Sequence, residues 1–182
     1  MKIIICTMDE NPGKIKCHEL LFRDGNPEEW RGVTVFGEFT PDGNSGELSP
    51  AAGALLGQAC QTAAQSDDKA QLLLIGNGLV ETARKYFSFA DRVFVYDDPV
   101  LNDFDAPHCT AVFLHFIKNY KPAAVYIRNS EAMQPVIDAV LLGTGEYLEC
   151  QAEISNYELD RMIPKSDPNH LGELVICEIP EF

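Results

Sequence analysis

From about residue 32 onward, short apolar runs alternate with segments in which apolar residues recur every three or four positions. The short runs predict β-strands, and the recurring spacing predicts helices that bury one face. Four strands are predicted in this way, over residues 33–39, 71–75, 92–96 and 123–127. The run Gln71–Ile75 is apolar at every position after Gln71, which is typical of a parallel strand covered on both faces.

Four helices are predicted between and after these strands. Ser49–Pro50 supplies an N-cap and a first-turn proline for the first helix, Pro107 opens the third, and Lys121–Pro122 ends it. Because Pro135 lies inside the fourth apolar stripe, that helix either begins near Gln134 or bends there. The four stripes are Leu55, Leu56, Ala59, Cys60 and Ala63; Leu79, Val80, Ala83, Tyr86 and Phe87; Val112, Phe113, Phe116, Ile117 and Tyr120; and Met133, Val136, Ile137, Val140 and Leu141.

This alternation of strands and helices predicts an α/β fold, because βαβ units with right-handed crossovers build a parallel sheet between two helical layers. The pattern changes after residue 145, where 149–154 and 173–179 predict an antiparallel pair at the edge of the sheet. At the other end, residues 2–6 and 14–17 predict a small hairpin. We therefore expect an N-terminal appendage over 1–31 and an α/β domain over 32–182.

The net charge of the chain excludes some classes of binding partner. The 182 residues carry a formal net charge of -14, which repels phosphate backbones and anionic lipid, so nucleic acid and membrane surfaces are poor candidates. The longest apolar runs are strand-sized, well short of the ~20 residues of a membrane-spanning helix. The first residues, Met1–Cys6, are typical of a strand and not of a signal peptide. These features favour a cytoplasmic protein.

The six cysteines occur singly, with no C-x-x-C pair. Scattered thiols fit a reducing cytoplasm. The nearest approach to a metal cluster is His108–Cys109 with His115 seven residues further on. An amphipathic helix that carries these residues by chance explains them better than a metal site does, so we predict no metal ligands.

Two glycine-rich turns invite a nucleotide-binding interpretation. Gly76–Asn77–Gly78 follows a strand, but Glu81 stands where the dinucleotide fingerprint requires its third glycine, and its charge would oppose a pyrophosphate. We therefore interpret this segment as a structural turn. Gly43–Gly46 superficially resembles a phosphate or oxyanion loop, although a plain turn suffices between the first of the four strands and its helix.

Polar residues at two strand ends are the remaining candidates for chemistry. Asp97–Asp98 either binds metal or acts in acid–base catalysis, or else provides ordinary turn and capping interactions, which we favour. Arg128 and Asn129 are better placed to contact a ligand or partner, although pairing of Arg128 with neighbouring carboxylates is the favoured interpretation. The residues nominate no catalytic group, and the cofactor-binding residues stay unknown.

The order of motifs resembles the amino-terminal domain of electron transfer flavoprotein α subunits, including nitrogen-fixation-associated forms. The strand Val33–Phe39 leads through a glycine-rich turn and Glu47–Pro50 to Leu55–Ala59, similar to the family's "V-F-x-E", "D-G-x-L" and "L-L-G-x-A". The resemblance covers roughly residues 32–179. Its later motifs are Ala90–Val93, Tyr96–Pro99, Tyr120–Pro122, Gly143–Gly145 with Cys150, and Gly172–Cys177.

The resemblance implies a Rossmann-like fold of the adenine nucleotide α-hydrolase type. It implies FAD, held mostly by a second, carboxy-terminal domain, so we expect no cofactor on this chain alone. It also implies a β-type subunit as heterodimer partner, with acyl-CoA dehydrogenase-type proteins as electron donors and the chain itself an electron-transfer component, not an enzyme. That the sequence is a fragment of a longer flavoprotein stays open.

One departure from the family concerns the segment after the fourth strand. The family shows "G-R-D-L-A-P-R-V-A" there, whereas Glu131–Asp138 keeps the proline and lacks both arginines. The alternative function is a stand-alone nucleotide-binding or regulatory domain of the adenine-nucleotide-binding superfamily. Because Arg128–Glu131 contains no glycine where such domains place a phosphate loop, the sequence favours the electron-transfer module.

Overall fold

The computed structural model describes residues 1–8, 14–22, 26–40, 46–103, 105–155, 164–165 and 167–182, which form an α/β fold around a mostly parallel sheet. The strands are β1 Lys2–Met8, β2 Lys14–Phe22, β3 Val33–Phe36, β4 Ala70–Gly76, β5 Arg92–Asp97, β6 Ala124–Arg128, β7 Tyr147–Ser155 and β8 Glu173–Ile176. The helices are α1 Pro50–Gln65, α2 Val80–Arg84, α3 Ala106–Tyr120 and α4 Gln134–Thr144, with 3₁₀ turns at Pro27–Glu29 and Pro99–Leu101.

The strands follow the order β7-β2-β1-β6-β3-β4-β5-β8 across the sheet. From β1 to β8 every neighbouring pair is parallel, and β2 runs antiparallel to both of its neighbours. The register places Val33 opposite both Ala70 and Ala124, so β3 lies in the middle of the parallel part. The three-layer parallel fold predicted from the alternation of strands and helices is confirmed.

Side chains on the central strands alternate between two cores, one on each face of the sheet. On β6, Tyr126 points into the core that contains α1, whereas Val125 and Ile127 point into the core that contains α3 and α4. The largest fully buried side chains come from both cores, among them Leu55 and Phe113. Burial on both faces explains why these strands are mostly apolar in sequence. Their buried polar residues Thr34 and Gln71 are joined by a hydrogen bond, in which the Thr34 hydroxyl donates to the Gln71 Oε1 at 2.9 Å.

The helix ends follow the predicted signals. The Ser49 side chain caps α1 by accepting a hydrogen bond from the Ala52 N–H at 3.1 Å. Lys121 ends α3 in the left-handed conformation, with φ 44°. The alternative left open for Pro135 is decided in favour of a helix start, because α4 begins at Gln134 and the proline occupies its first turn. None of the helices in the described residues is long and apolar enough to cross a membrane.

Two sequence-based predictions about the ends of the chain were wrong. The two late strands do not pair with each other: β7 lies antiparallel to β2 at one edge of the sheet, and β8 lies parallel to β5 at the other. The physical reason is that each finds an unsatisfied edge elsewhere, as shown by the Cys177 N–H, which donates to the Val95 carbonyl at 2.9 Å. The β1–β2 hairpin forms as predicted, but β1 lies inside the sheet beside β6, so the hairpin is not appended.

Candidate functional site

The connections between the parallel strands change direction at β3. From β3 through β4 to β5 the chain steps one way, with α1 packed on β3, β4 and β6 and α2 on β5. From β5 it then returns through α3 to β6, on the other side of β3, and α3 belongs to the opposite core. In open α/β sheets this reversal creates a crevice at the carboxyl ends of the strands, where ligands bind.

A cavity of about 530 Å³ lies in this crevice. Its walls come from the residues after β3, the residues after β4, the start of α3 and the segment before α4. A cleft of this size is large enough for a small organic ligand. The lining residues in the described part of the chain are Phe36, Gly37, Glu38, Phe39, Thr40, Gly46, Ile75, Gly76, Asn77, Leu79, Leu101, Asn102, Asp103, Asp105, His108, Cys109, Ala132 and Met133.

The ionisable groups of this cavity are mainly acidic. Glu38, Asp103 and Asp105 line it, and no lysine or arginine does so among the described lining residues. Glu38 forms an ion pair with Arg128 at 3.3 Å and accepts a hydrogen bond from the Ser130 hydroxyl at 3.4 Å. Glu38 and Arg128 form a pair with no net charge, so the negative charge of the described lining comes mainly from Asp103 and Asp105.

The Gly76–Asn77–Gly78 turn, which borders the cavity, is held by an internal carboxylate. Asp97 at the end of β5 accepts hydrogen bonds from the N–H groups of Gly78 at 2.5 Å and Leu79 at 2.8 Å. Gly78 has φ +71°, a conformation that favours glycine. The N–H groups of Gly78 and Leu79 are therefore hydrogen-bonded within the fold, as expected of a structural turn.

Asp98 has a separate capping role. Its side chain accepts a hydrogen bond from the Val100 N–H at 2.9 Å and caps the 3₁₀ turn Pro99–Leu101. The favoured interpretation of Asp97–Asp98 as turn and capping residues is thus confirmed. Within the described ranges, no group of three His, Cys, Asp or Glu side chains is arranged to hold a metal ion.

The residues of the suspected metal cluster on α3 point to different partners. The His108 Nδ1 contacts the Asp105 carboxylate, and its ring meets Phe182 edge-on with the centroids 4.4 Å apart. The His115 Nδ1 lies 2.9 Å from the Tyr96 hydroxyl. Cys109 is buried, and burial together with the charge of Asp105 raises the pKa of its thiol to about 12. The prediction of an amphipathic helix is confirmed.

The other candidates have local partners. Arg128 pairs with Glu38, as favoured from the sequence, and the Asn129 side-chain amide donates to the Thr7 hydroxyl at 3.2 Å. Glu81 is exposed, and its Oε1 atom lies 3.6 Å from the Nε atom of Arg84, one helical turn later. Of the Gly43–Gly46 loop only Gly46 lies within the described residues, with φ +56° beside Thr82.

Sequence reasoning did not nominate Glu38, Asp105 or Met133, although all three line the cavity. Each had a local signal. Glu38 follows a buried strand, Asp105 precedes the proline that opens α3, and Met133 precedes α4. These local signals identify a shared site only when the order of the strands is known. That order brings the ends of β3 and β4 next to the starts of α3 and α4.

Comparison with known proteins identifies the family to which the chain belongs. Residues 37–152 match the electron transfer flavoprotein domain family, which is more than half of the chain. The chain is also 31% identical over 99 residues to the lactate dehydrogenase (NAD(+),ferredoxin) subunit LctC of Acetobacterium woodii. That alignment covers 54% of this chain and only 23% of the relative's length. The chain therefore belongs to the electron transfer flavoprotein domain family, as its ordered motifs predicted.

Proposed function

We propose that this chain is an α-subunit-type domain of an electron transfer flavoprotein, which docks on a β-type subunit while another domain holds the FAD. The observation that carries the proposal is the use of the Gly78 and Leu79 N–H groups by Asp97. Backbone N–H groups at such turns are the usual anchors for nucleotide phosphates in this fold. Because an internal carboxylate already uses them, the domain is suited to a scaffolding role.

The charge of the crevice supports the same proposal. Glu38, Asp103 and Asp105 line the cavity, and the chain carries a net charge of -14. The pyrophosphate of FAD or the phosphate of AMP would enter a field of its own sign. Arg128 offsets the charge of Glu38, with which it pairs, so Asp103 and Asp105 carry most of this field.

The complex that we propose resembles the one named for the relative. LctC is by name a subunit of a lactate dehydrogenase that uses NAD⁺ and ferredoxin. We propose that this chain likewise serves as a subunit in a flavin-dependent electron-transfer complex, which accepts electrons from a dehydrogenase of this kind or of the acyl-CoA dehydrogenase type. In this role the chain is an electron-transfer component, and the redox chemistry belongs to the flavin.

The size and position of the cavity favour a second candidate function, a stand-alone nucleotide-binding or regulatory domain. A cleft of about 530 Å³ at the reversal point of the sheet is where this architecture places nucleotides. Under this alternative, AMP or ATP would bind in the cavity. Ala132→Trp, which adds a large ring at an exposed position of its lining, would then abolish the binding.

One purification experiment separates the two. The chain is purified alone and together with a β-type subunit from its host, and each sample is measured for flavin absorbance, released nucleotide and molecular mass. We expect the chain alone to be colourless and free of nucleotide, to bind neither AMP nor ATP by calorimetry, and to form a one-to-one complex with the β-type subunit.

Stoichiometric flavin on the chain alone would contradict the proposal, as would failure to bind the β-type subunit. Nucleotide binding that Ala132→Trp removes would establish the alternative instead. If wild type and Ala132→Trp both bind no nucleotide and both capture the subunit, the crevice has no role in nucleotide binding and the scaffold proposal stands.

A further inference from the structure

Cys6 and Cys17 lie directly opposite each other on β1 and β2. The Phe22 N–H donates to the Met1 carbonyl at 3.0 Å, which makes Met1 and Phe22 a hydrogen-bonded pair of this antiparallel ladder. Hydrogen-bonded and non-hydrogen-bonded pairs alternate along the ladder, so Cys6 and Cys17, five positions further on, form a non-hydrogen-bonded pair. Such pairs bring the two side chains closest together.

The neighbouring strand gives an independent check of this assignment. The Asn129 N–H donates to the Cys6 carbonyl at 2.8 Å, so the backbone polar groups of Cys6 face β6 and not β2. In non-hydrogen-bonded pairs the Cα atoms lie about 4.5 Å apart. Disulfide bonds span Cα separations of about 4.4–6.8 Å. The backbone at this position is therefore already at a separation that a disulfide tolerates.

The two sulfur atoms are also in contact. The Sγ atoms lie 2.6 Å apart, and the residues are 0% and 2% exposed, within the core that contains Ile4 and Ile15. The surrounding core restricts both side chains, so little further ordering is needed to join them. We infer that Cys6 and Cys17 are a thiol–disulfide site, at which a cross-strand disulfide bond joins β1 to β2.

The chemistry at this site is two successive thiol–disulfide exchanges with a low-molecular-weight disulfide, RSSR. Either thiol can react first, and when it is Cys17 the steps are the following. The Cys17 thiolate attacks RSSR, forms a mixed disulfide and releases one RS⁻. The Cys6 thiolate then attacks the Cys17 sulfur and releases the second RS⁻. The sum converts two protein thiols and RSSR into one protein disulfide and two RSH, so two electrons pass to RSSR.

Burial decides when the exchange takes place. Because both thiols are enclosed in the native sheet, RSSR reaches them before the hairpin is covered or during its opening. Cys150 on β7 lies on the same face, opposite Glu19, and is exposed. It is a diagonal neighbour of Cys17, at the ~7–8 Å typical of such positions, which is too far for a bond without backbone movement.

Disulfide mapping of the full chain tests the site. The reduced, unfolded protein is refolded in glutathione buffers from fully reduced to fully oxidised, the remaining thiols are alkylated in denaturant, and tryptic peptides are identified by mass. Trypsin places Cys6 in residues 3–14 and Cys17 in residues 17–23. We expect these two peptides to appear linked in oxidised buffer, with the alkylated cysteines falling from six to four.

Three variants test whether the linkage is specific to Cys6 and Cys17. Cys6→Ala is expected to abolish the linked peptide, whereas Cys150→Ser removes the exposed neighbouring thiol and is expected to leave the linkage unchanged. Cys109→Ala, a buried cysteine in the other core, is the matched control and is also expected to leave it unchanged. Six alkylated cysteines in every buffer, a stable glutathione adduct on Cys17, or a Cys17–Cys150 link would each overturn the inference. The wild-type map decides the matter even if Cys6→Ala does not fold.

Discussion

The Oδ2 atom of Asp97 accepts a hydrogen bond from the backbone N–H of Leu79 at 2.8 Å. Its other oxygen accepts one from the Gly78 N–H, so a single carboxylate holds both donors of the turn that follows β4. The contact joins the carboxyl end of β5 to the beginning of α2. It stabilises the edge of the crevice, and it also gives this edge a negative charge where nucleotide-binding relatives of the fold need donors.

Replacement of Asp97 tests this role. Hydrogen bonds to a charged group contribute about 1.5–3 kcal/mol each, less at partly exposed sites. We expect Asp97→Ala to lower the free energy of unfolding by about 1–2 kcal/mol and Asp97→Asn, which keeps one acceptor oxygen, to lower it less. Urea denaturation followed by circular dichroism measures both changes. Glu81→Ala, at an exposed ion pair with Arg84, is the control and should change stability by less than about 0.5 kcal/mol.

Ser49 gives a prediction about the start of α1. Its side chain accepts a hydrogen bond from the Ala52 N–H, and the residue is buried. Removal of an N-cap costs about 1 kcal/mol, so Ser49→Ala should lower the free energy of unfolding by about that amount. Ser49→Thr keeps a capping hydroxyl and should lower the free energy of unfolding much less. Ser66→Ala at the exposed other end is the control. Equal losses for Ser49→Ala and Ser66→Ala would contradict the capping role.

The parallel part of the fold was predictable because its signals are local. The run Leu72–Ile75 is apolar at every position, which indicates burial on both faces. Ser49 and Pro107 mark helix starts, because a serine side chain caps the first turn and proline fits there. Each signal depends on residues within one turn or one strand. The prediction of four strands and four helices in alternation needed nothing more.

The strand partners at the two edges were not predictable in the same way. The Glu173–Ile176 strand has no clear alternation of buried and exposed residues, and nothing in its sequence names β5 as its neighbour. Cys6 and Cys17 were interpreted as scattered thiols for the same reason, since their contact depends on the register of the hairpin. Register and strand order are long-range properties, fixed by which edges remain unsatisfied.

The candidate site falls between these cases. Local charge favoured the pairing of Arg128 and the capping role of Asp97, and both were confirmed. The cavity itself was not predicted. Glu38 and Met133 are far apart in the chain, and the reversal of strand order at β3 is what places both of them in its lining.

Gly172 provides a test of how β8 is attached. An added Cβ there would lie 2.6 Å from the Ala90 carbonyl oxygen and 3.1 Å from the Phe87 Cα, and both are backbone atoms that cannot move aside cheaply. The Gly172 N–H also donates to the Phe87 carbonyl at 2.9 Å. We expect Gly172→Ala to lower the free energy of unfolding by about 1–3 kcal/mol and to accelerate amide hydrogen exchange in β8.

Gly143→Ala is the matched control for this substitution. Its Cβ would meet the Leu114 Cδ1 at 2.9 Å, but Leu114 is a flexible side chain that can change rotamer. Because Gly143 lies within α4, alanine also favours the helix, so the change should be near neutral or stabilising by up to about 1 kcal/mol. If the amide hydrogens of β8 exchange at wild-type rates in Gly172→Ala, the close approach of Gly172 to the backbone of Phe87 and Ala90 does not hold this strand in place.

Stability should fall in alkaline solution because buried thiols and phenols resist ionisation in the folded chain. Burial raises the pKa of Cys109 to about 12 from an ordinary 9.0, so between those values the unfolded state has lost a proton that the folded state keeps. The contribution of this thiol to folding stability is therefore fully present below pH 9 and decreases as pH rises toward 12, by at most about 1.4 kcal/mol per pH unit. Tyr120, whose pKa burial also raises to about 12, adds to the decrease.

Urea denaturation at several pH values across this window, on wild type and Cys109→Ala, measures the contribution of the thiol. The variant should be less stable than wild type at neutral pH because it leaves a small cavity, yet its stability should fall less steeply above pH 9, by close to one proton. Parallel curves for wild type and Cys109→Ala would show that this thiol ionises equally in both states, and that its burial does not control the alkaline limit of the fold.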